Sequence, residues 1–217
     1  MKLLALLASI ALAQMATADE VASTTPYLTL YQVLSPVTRI SKYDRLVAIE
    51  HIESKTPGVR PQDIRIVIHA KAGAITVPVA ASGEVKFPVT DALREENPPV
   101  ETNQPKGSLA LIVSVALRDG LKLRVPWSDI DAGLAQVKAF YAESNSASAP
   151  AVSGIEAHFS PGGAAMLTIE GKGERLLMAD PAGRIVVTRD MAAENAATEL
   201  VFSRAPDFVL PYSDDKK

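Results

Sequence analysis

The clearest pattern along the chain is an alternation of apolar and polar residues between residues 64 and 89. The run IRIVIHA is followed by the turn KAG, the run AITVPVA, the turn ASGE and the run VKFPV. Alternation interrupted by glycine turns is typical of short strands that pair antiparallel in chain order. Pro78 and Pro88 cannot donate to a strand ladder, so both belong at sheet edges or strand ends. The pattern therefore predicts a three-stranded antiparallel meander.

Three further segments also predict strands. YLTLYQVL (residues 27–34) has the apolar and aromatic content of a strand. In RLVAIEHIES (residues 45–54) the apolar positions fit either a helix or a strand, and the β-branched residues favour a strand. SLALIVSVALR (residues 108–118) is the most apolar run after the N-terminal 18 residues, and it predicts a central strand.

One long helix is predicted over residues 128–142. Ser128 and Asp131 have the spacing of a capping box at its start. Its apolar stripe recurs at helical spacing and consists of Ile130, Leu134, Val137 and Tyr141. Trp127 directly precedes the cap, so we expect it to pack onto the first turn of the helix.

A short helix is predicted over TDALREEN (residues 90–97). Thr90 or Asp91 has the chemistry of an N-cap, and Asn97 suits a left-handed terminator. One or two helical turns are therefore expected before the next strand.

The order of strand, glycine turn, strand, glycine turn, strand and short helix recurs over residues 166–195. Gly73 and Gly83 have counterparts 100 positions later, at Gly173 and Gly183. Glycine is common in turns, so chance agreement is an alternative to duplication. Two meanders that are apolar on one face can bury those faces against each other. The sequence thus predicts a mainly β fold of two related antiparallel β-meander units, forming a β-sandwich or open barrel with one packed α-helix.

This organisation divides the chain into five parts. We expect a signal peptide over residues 1–18, a β domain with a C-terminal helix over 19–142, and a flexible linker over 143–154. A second, repeat-like β unit is expected over residues 155–212, followed by a charged tail over 213–217. The linker is assigned because its residues are small and polar.

The N-terminal segment MKLLALLASIALAQMATADE has the features of a secretory leader. Lys2 precedes an apolar run over residues 3–13, which is too short to span a membrane. Ala16, Thr17 and Ala18 supply the small residues that signal peptidase accepts. We expect cleavage after Ala18, no transmembrane segment in the mature chain, and a periplasmic or secreted location.

Composition excludes several classes of protein. The chain contains no cysteine, so it has neither a disulfide scaffold nor a lipid anchor on cysteine. Its formal net charge is −3, which gives no electrostatic reason to expect a nucleic-acid partner.

The sequence contains none of the common catalytic or cofactor motifs. His51, His69 and His158 lack H-x-H or H-E-x-x-H spacing, so no metal site is predicted. There is no G-x-S-x-G motif, and Ser160 in FSPGG has the surroundings of a turn. Lys106 and Gly107 precede a strand, whereas a phosphate loop precedes a helix. We therefore expect no catalytic residue, metal or cofactor.

The loop EENPPVETNQPKG (residues 95–107) is predicted mainly to end a helix and direct the next strand. If a surface of the protein binds a specific partner, the candidate binding residues are Asn103, Gln104 and Lys106. Their side chains are long and polar, and they lie on a loop that prolines make rigid. Solvated turn side chains are the alternative interpretation.

These observations favour a soluble exported β-rich binding or interaction protein of the bacterial cell envelope, without catalytic machinery. Two alternatives remain: an envelope hydrolase that uses dispersed carboxylates, and a carrier of a small apolar ligand. The partner, an envelope protein or a small ligand, and the oligomeric state are not specified by the sequence.

Overall fold

The computed structural model describes residues 22–143, 151–160 and 164–214. The structure is mostly β. Strands make up 41% of it and form several antiparallel sheets, and helices make up 26%. This confirms the mainly β class that the alternation predicts. The expected signal peptide, residues 144–150 of the expected linker and residues 215–217 of the expected tail lie outside the described residues.

The described strands are numbered in chain order. They are β1 (Ser23–Pro26), β2 (Leu46–Ser54), β3 (Ile66–Ala70), β4 (Gly73–Val77), β5 (Pro99–Thr102), β6 (Leu109–Leu117), β7 (Arg124–Pro126), β8 (Val152–His158), β9 (Met166–Glu170), β10 (Glu174–Met178), β11 (Arg184–Thr188), β12 (Glu199–Phe202) and β13 (Phe208–Ser213). The described helices are α1 (Tyr27–Ile40), α2 (Asp91–Glu96), α3 (Trp127–Glu143) and α4 (Arg189–Glu194), with 3₁₀ turns at Pro61–Asp63 and Asp119–Leu121.

The strands form two four-stranded sheets with the same internal order. One sheet has the order β1-β5-β3-β4 and the other β7-β12-β9-β10, and every pairing in both is antiparallel. The longest strands lie outside these sheets: β2 pairs with β6, and β8 lies between β11 and β13. The chain therefore contains two four-stranded sheets of matching order, together with the pair β2–β6 and the three-stranded sheet β11-β8-β13.

The hairpins β3–β4 and β9–β10 form as predicted, but the third segment of each predicted meander does not continue the hairpin. β11 pairs with β8 and not with β10. Residues 85–89 form no continuous strand, and the segment contributes only isolated bridges, Val79 with Val85 and His51 with Glu84. Phe87, the next residue in register, donates its backbone N–H to the carboxylate of Glu50 at 2.8 Å, so a side chain takes the place of a strand carbonyl here.

Residues 27–34 were expected to form a strand, and the structure contradicts this, because they begin helix α1. Tyr27 and Leu34 are seven residues apart and both fully buried, so they occupy one helical face. Pro36 lies within the helix and cannot donate to the carbonyl of Gln32, but the Ser35 hydroxyl donates to that carbonyl at 3.2 Å. Helical spacing of buried side chains therefore outweighs the aromatic and β-branched content of the segment.

The two predicted helices are present. The Thr90 hydroxyl caps α2 by accepting from the backbone N–H of Leu93 at 3.2 Å, and Asn97 ends it in a left-handed conformation with φ 49°. Helix α3 begins at Trp127, one residue earlier than predicted, and buries most of its predicted stripe. Trp127 itself packs partly buried against the core, as expected.

The apolar side chains form two clusters. The first lies within the N-terminal half and contains residues of α1, β3 and β5, such as Leu34, Ile66 and Val100. The second packs α3 against β8, β9 and β12, and it also takes in Leu46 of β2 and Leu117 of β6. Since β2 and β6 contribute side chains to both clusters, this strand pair connects the two halves. No helix among the described residues is both long and apolar enough to cross a membrane.

The predicted boundary at residue 142 stays a prediction. Strand β7 and helix α3 precede that boundary, yet β7 pairs with β12 and α3 packs in the cluster that contains β8. The predicted linker over residues 143–154 has regular structure at both ends, since Glu143 ends α3 and β8 begins at Val152.

Candidate functional site

A concave cleft of about 410 Å³ lies where segments of the two halves meet. This volume falls within the range of roughly 300–1,000 Å³ that is usual for small-ligand sites. The lining residues come from β2, the turn after β4, the end of β8 and the start of β13. They are Ile49, His51, Ala81, Ser82, Glu84, His158, Phe159, Ser160, Asp207 and Phe208.

The two histidines of the cleft occupy corresponding positions in the two halves. His51 is opposite Glu84 in a bridge, and His158 is opposite Arg184 in the β8–β11 ladder. In each half the residue after the histidine donates its N–H to the carbonyl of a turn glycine at 2.9 Å, Gly83 in one case and Gly183 in the other. The same strand-to-turn contact therefore positions both imidazoles.

Gly83 packs directly against His51 on one side of the cleft. Its φ of +89° is a left-handed conformation that favours glycine. A Cβ atom at this position would lie 2.5 Å from Cε1 of His51 and 2.9 Å from the carbonyl oxygen of Ile52. The absence of a side chain lets the turn lie directly against the imidazole, whose Nε2 is 3.2 Å from the carboxylate of Glu53.

The opposite wall is a platform of two stacked rings. The ring centroids of His158 and Phe208 are 4.5 Å apart, with an interplanar angle of 25°. The backbone N–H of Asp207 donates to the carbonyl of His158 at 2.9 Å, which fixes the start of β13 beside the end of β8. The platform is therefore positioned by backbone contacts as well as by stacking.

Burial favours the neutral form of the platform histidine. It lowers the pKa of His158, although the Glu156 carboxylate, with Oε1 2.7 Å from Nε2, opposes that shift. The guanidinium of Arg184 lies 4.0 Å from the same carboxylate oxygen and also disfavours a charged imidazole. The neutral ring is therefore favoured over the range in which an exposed histidine would begin to gain a proton.

Ser160 is held in place by a carboxylate. Its hydroxyl donates to Oδ2 of Asp207 at 2.7 Å, its backbone N–H donates to the same oxygen, and Arg204 donates to its carbonyl at 2.7 Å. A serine nucleophile is normally activated by an adjacent base such as histidine. Within the part of the chain that the structure describes, the Ser160 hydroxyl bonds to the carboxylate of Asp207 and has no hydrogen bond to a histidine.

The lining of the cleft is rich in hydrogen-bond acceptors. Glu84 and Asp207 contribute carboxylates, Ser82 and Ser160 contribute hydroxyls, and no lysine or arginine is among the described lining residues. The stacked rings add one flat apolar surface. The arrangement suits a ligand that carries hydroxyl or amino donors and has one apolar face.

The residues predicted from the proline-stiffened loop lie away from this cleft. The Asn103 amide donates to the carbonyl of Asp63 at 2.8 Å, and its oxygen accepts from the backbone N–H of Arg65 at 2.8 Å. Gln104 is only 7% exposed, and Oε1 lies 3.4 Å from the hydroxyl of Ser54. Lys106 is exposed. Asn103 and Gln104 thus fasten the loop to the fold, and a binding role for the three residues stays a prediction.

A smaller apolar cavity of about 210 Å³ lies within the N-terminal half. Pro105 and Gly107 of the same loop lie on its boundary, and its walls are mainly aliphatic and aromatic, including Leu30, Phe87 and Leu111. Its volume is below the range of roughly 300–1,000 Å³ that is usual for ligand sites. No group of three or more potential metal ligands is gathered among the residues that the structure describes.

Sequence reasoning did not single out Phe208, Phe159 or Glu84. Four segments that are far apart in the chain build the cleft, so no local motif marks it. The available signal was the matched pair Gly83 and Gly183, which identifies equivalent turns beside the two histidines. Comparisons of the chain with protein-family models, curated proteins and solved structures found no match.

Proposed function

We propose that the protein is a soluble, exported, non-catalytic binding protein of the bacterial envelope, and that the cleft is its ligand-binding surface. One observation carries this proposal: a concave surface of suitable volume is lined jointly by corresponding strand positions from the two halves. Sites at the junction of two structural units are a common location for ligand binding.

We further propose that the two halves are copies of one β unit. The identical order of the two four-stranded sheets supports this, as do the matching contacts of Gly83 and Gly183. Thr90 and Thr188 also cap the short helices α2 and α4 in the same way, each accepting an N–H at 3.2 Å. Duplication would explain why the cleft contains one histidine from each half.

The proposed ligand is a polar molecule with several hydroxyl or amino donors and one apolar face, such as an amino sugar oligomer or a short cationic peptide of the envelope. Carboxylates and hydroxyls of the lining would accept its hydrogen bonds, while the platform of His158 and Phe208 would contact its apolar face. An anionic ligand is disfavoured because Glu84 and Asp207 face the cleft.

Titration with soluble amino sugar oligomers and cationic peptides, followed by calorimetry and amide NMR, tests this proposal. Phe208→Ala removes one ring of the platform and Glu84→Gln removes a carboxylate, so each variant is expected to weaken binding about tenfold. Circular dichroism and thermal unfolding of both variants control for loss of fold.

Lys106→Ala is the matched control, because Lys106 is exposed on the loop and does not line the cleft. We expect its affinity to equal that of the wild-type protein. Loss of binding in Lys106→Ala with normal binding in the two cleft variants would move the binding site to the loop. Absence of binding to both ligand classes would contradict the proposed cleft chemistry.

Export can be tested separately. N-terminal sequencing of protein recovered from the periplasmic fraction is expected to begin at Asp19, because the proposed cleavage follows Ala18. Recovery of the intact N-terminus from the cytoplasm alone would contradict the proposed location while leaving the ligand proposal open to its own test.

The apolar cavity supports a second candidate function, carriage of a small apolar ligand. An environment-sensitive apolar dye that binds there should be displaced by short fatty acids, and Leu111→Arg should abolish the signal because it places a charge in the apolar wall. Unchanged dye binding in this variant would exclude the cavity as the site.

A further inference from the structure

Strand β10 is the edge of its four-stranded sheet, and its outer hydrogen-bonding groups have no partner strand among the described residues. The backbone N–H of Ala179 donates to the carbonyl of Ala165 at 2.9 Å, in register with the β9–β10 ladder. In an antiparallel ladder, alternate residues exchange hydrogen bonds with the neighbour. Arg175 and Leu177 therefore bond to β9, whereas the N–H and C=O groups of Glu174, Leu176 and Met178 point outwards.

The same edge exposes large apolar side chains. Leu176 is 58% exposed and Met178 is 66% exposed, and Met166, opposite Met178 on β9, is also exposed. Proteins usually protect edge strands with proline, charge, bulges or covering segments, because an unprotected edge pairs readily with another strand. An apolar, regular edge of this kind is thus a suitable surface for strand addition.

The equivalent edge in the N-terminal half is protected. Strand β4 is the edge of the first sheet, and Val77 opposite Ile66 matches Leu177 opposite Leu167, so residues of β4 and β10 that are 100 positions apart correspond. The residues of the first edge that match Leu176 and Met178 are Thr76 and Pro78. Proline removes the outward N–H there, so only the second edge is equipped to pair.

We propose that β10 pairs antiparallel with β10 of a second copy of the chain, about a two-fold axis at Leu176. In this register Leu176 faces Leu176 of the second copy, and Glu174 faces Met178 of the second copy. Just beyond the strand ends, the same register brings Lys172 towards Asp180 of the second copy, a carboxylate that also pairs with Arg184 of its own chain at 2.9 Å, so basic and acidic groups meet at both ends of the paired segment. No two like charges face each other, and the two sheets become one sheet of eight strands.

The dimer is expected to be weak, because the strand pairing involves only about five residues from each copy. A standard stable interface buries about 800 Å² on each partner, which is more than a single edge strand supplies. We therefore expect dissociation constants in the micromolar range or above, and a monomer–dimer equilibrium that shifts with protein concentration.

The absence of cysteine allows a direct test of the register. Residues that face each other in a hydrogen-bonded antiparallel pair have Cα atoms about 5.5 Å apart, within the range of about 4.4–6.8 Å that a disulfide bridges. Leu176→Cys should therefore form a disulfide-linked dimer under mild oxidation. Thr76→Cys is the matched control, at the equivalent exposed position of the protected edge, and it should form little dimer at the same concentration.

A second variant tests the hydrogen bonds. Met178→Pro introduces the residue found at the equivalent position of β4 and removes only an outward N–H, so the ladder to β9 is retained. Analytical ultracentrifugation should show dimerisation weakened about tenfold or more with unchanged circular dichroism. A wild-type protein that stays monomeric up to about 1 mM, or equal crosslinking of the two cysteine variants, would overturn the proposal.

Discussion

The two halves of the molecule share the strand order of their four-stranded sheets, but they differ in how the segment after the hairpin is hydrogen-bonded. In the C-terminal half, β11 pairs with β8 over five residues, from Arg184 to Thr188. In the N-terminal half the equivalent residues 84–88 form no continuous strand. Here the carboxylate of Glu50 accepts from the backbone N–H of Phe87 at 2.8 Å, and the hydroxyl of Tyr27 donates to the carbonyl of Pro88 at 2.5 Å.

The residues at matched positions explain this difference. Gly154 faces Thr188, and the residue at the corresponding place on β2, four positions before His51, is Val47. Ala157 lies directly before His158, whereas Glu50 lies directly before His51. Gly154 has no side chain and leaves room for β11 to pair with β8. In the other half, the buried carboxylate of Glu50 accepts the hydrogen bond that a strand carbonyl would otherwise accept. Backbone N–H groups at the same place in a fold can therefore bond either to a neighbouring strand or to a polar side chain.

The largest expected loss of stability comes from adding a side chain between β8 and β11. A Cβ atom on Gly154 would lie 2.2 Å from the carbonyl oxygen of Val187, so Gly154→Val, which introduces the residue of the other half, should cost about 3 kcal/mol of unfolding free energy. Gly173→Val is the control, because no atom lies within 4 Å of a Cβ there, and about 0.5 kcal/mol is expected. Urea unfolding measures both values, and equal costs would show that β11 does not approach β8 closely.

A smaller effect is expected from removing the polar contact of the other half. Glu50→Ala introduces the residue found at the matched position and leaves the buried N–H of Phe87 without a partner, which should cost about 2 kcal/mol. Glu50→Gln retains an acceptor oxygen and should cost less. If Glu50→Ala were as stable as the wild-type protein, the carboxylate would not be holding residues 85–89.

The same carboxylate predicts a dependence of stability on pH. Burial raises the pKa of Glu50, so the folded chain keeps this proton at pH values where the unfolded chain has lost it. The contribution of this group to stability is therefore greatest below the ordinary carboxyl pKa of about 4.3 and declines as pH rises through the window up to the raised pKa. Denaturation of wild-type protein and Glu50→Gln across this window should show Gln gaining relative stability with rising pH. A constant difference between the two proteins would contradict the assignment.

The smallest expected loss of stability comes from removing the threonine N-caps of α2 and α4, and it should be equal in the two halves. Thr90→Ala and Thr188→Ala each remove a helix N-cap with the same 3.2 Å hydrogen bond, and each should cost about 1 kcal/mol. Serine at either position should restore most of the loss, because it keeps the hydroxyl. Thermal unfolding of the four variants checks this, and unequal losses would show that the two caps are not equivalent.

Local signals were sufficient to predict part of the fold. The hairpins β3–β4 and β9–β10 follow from alternation and glycine turns, and α2 follows from Thr90 and Asn97. Helix α1 could not be predicted from residue content, because its stability depends on a buried face and on Ser35 satisfying the carbonyl that Pro36 leaves without a donor. The outcome at residues 85–89 depends on Glu50, a residue from a distant strand.

The candidate cleft could be predicted even less well. It needs His51 and His158 to meet at the junction of two halves, with Phe208 stacked on one of them. None of these contacts is local in sequence. Asn103 and Gln104 were predicted from loop chemistry, and polar reach alone does not distinguish a side chain that binds a ligand from one that fastens its own loop.

The contact between Gly83 and the His51 imidazole links the lining of the cleft to a residue outside it. Gly83 is not among the residues that line the cleft, yet a Cβ atom at this position would overlap both the imidazole of His51 and the carbonyl oxygen of Ile52, so the ring and the turn would have to move apart. A substitution in the turn would therefore change the shape of the cleft, while every side chain that lines it keeps its chemical identity.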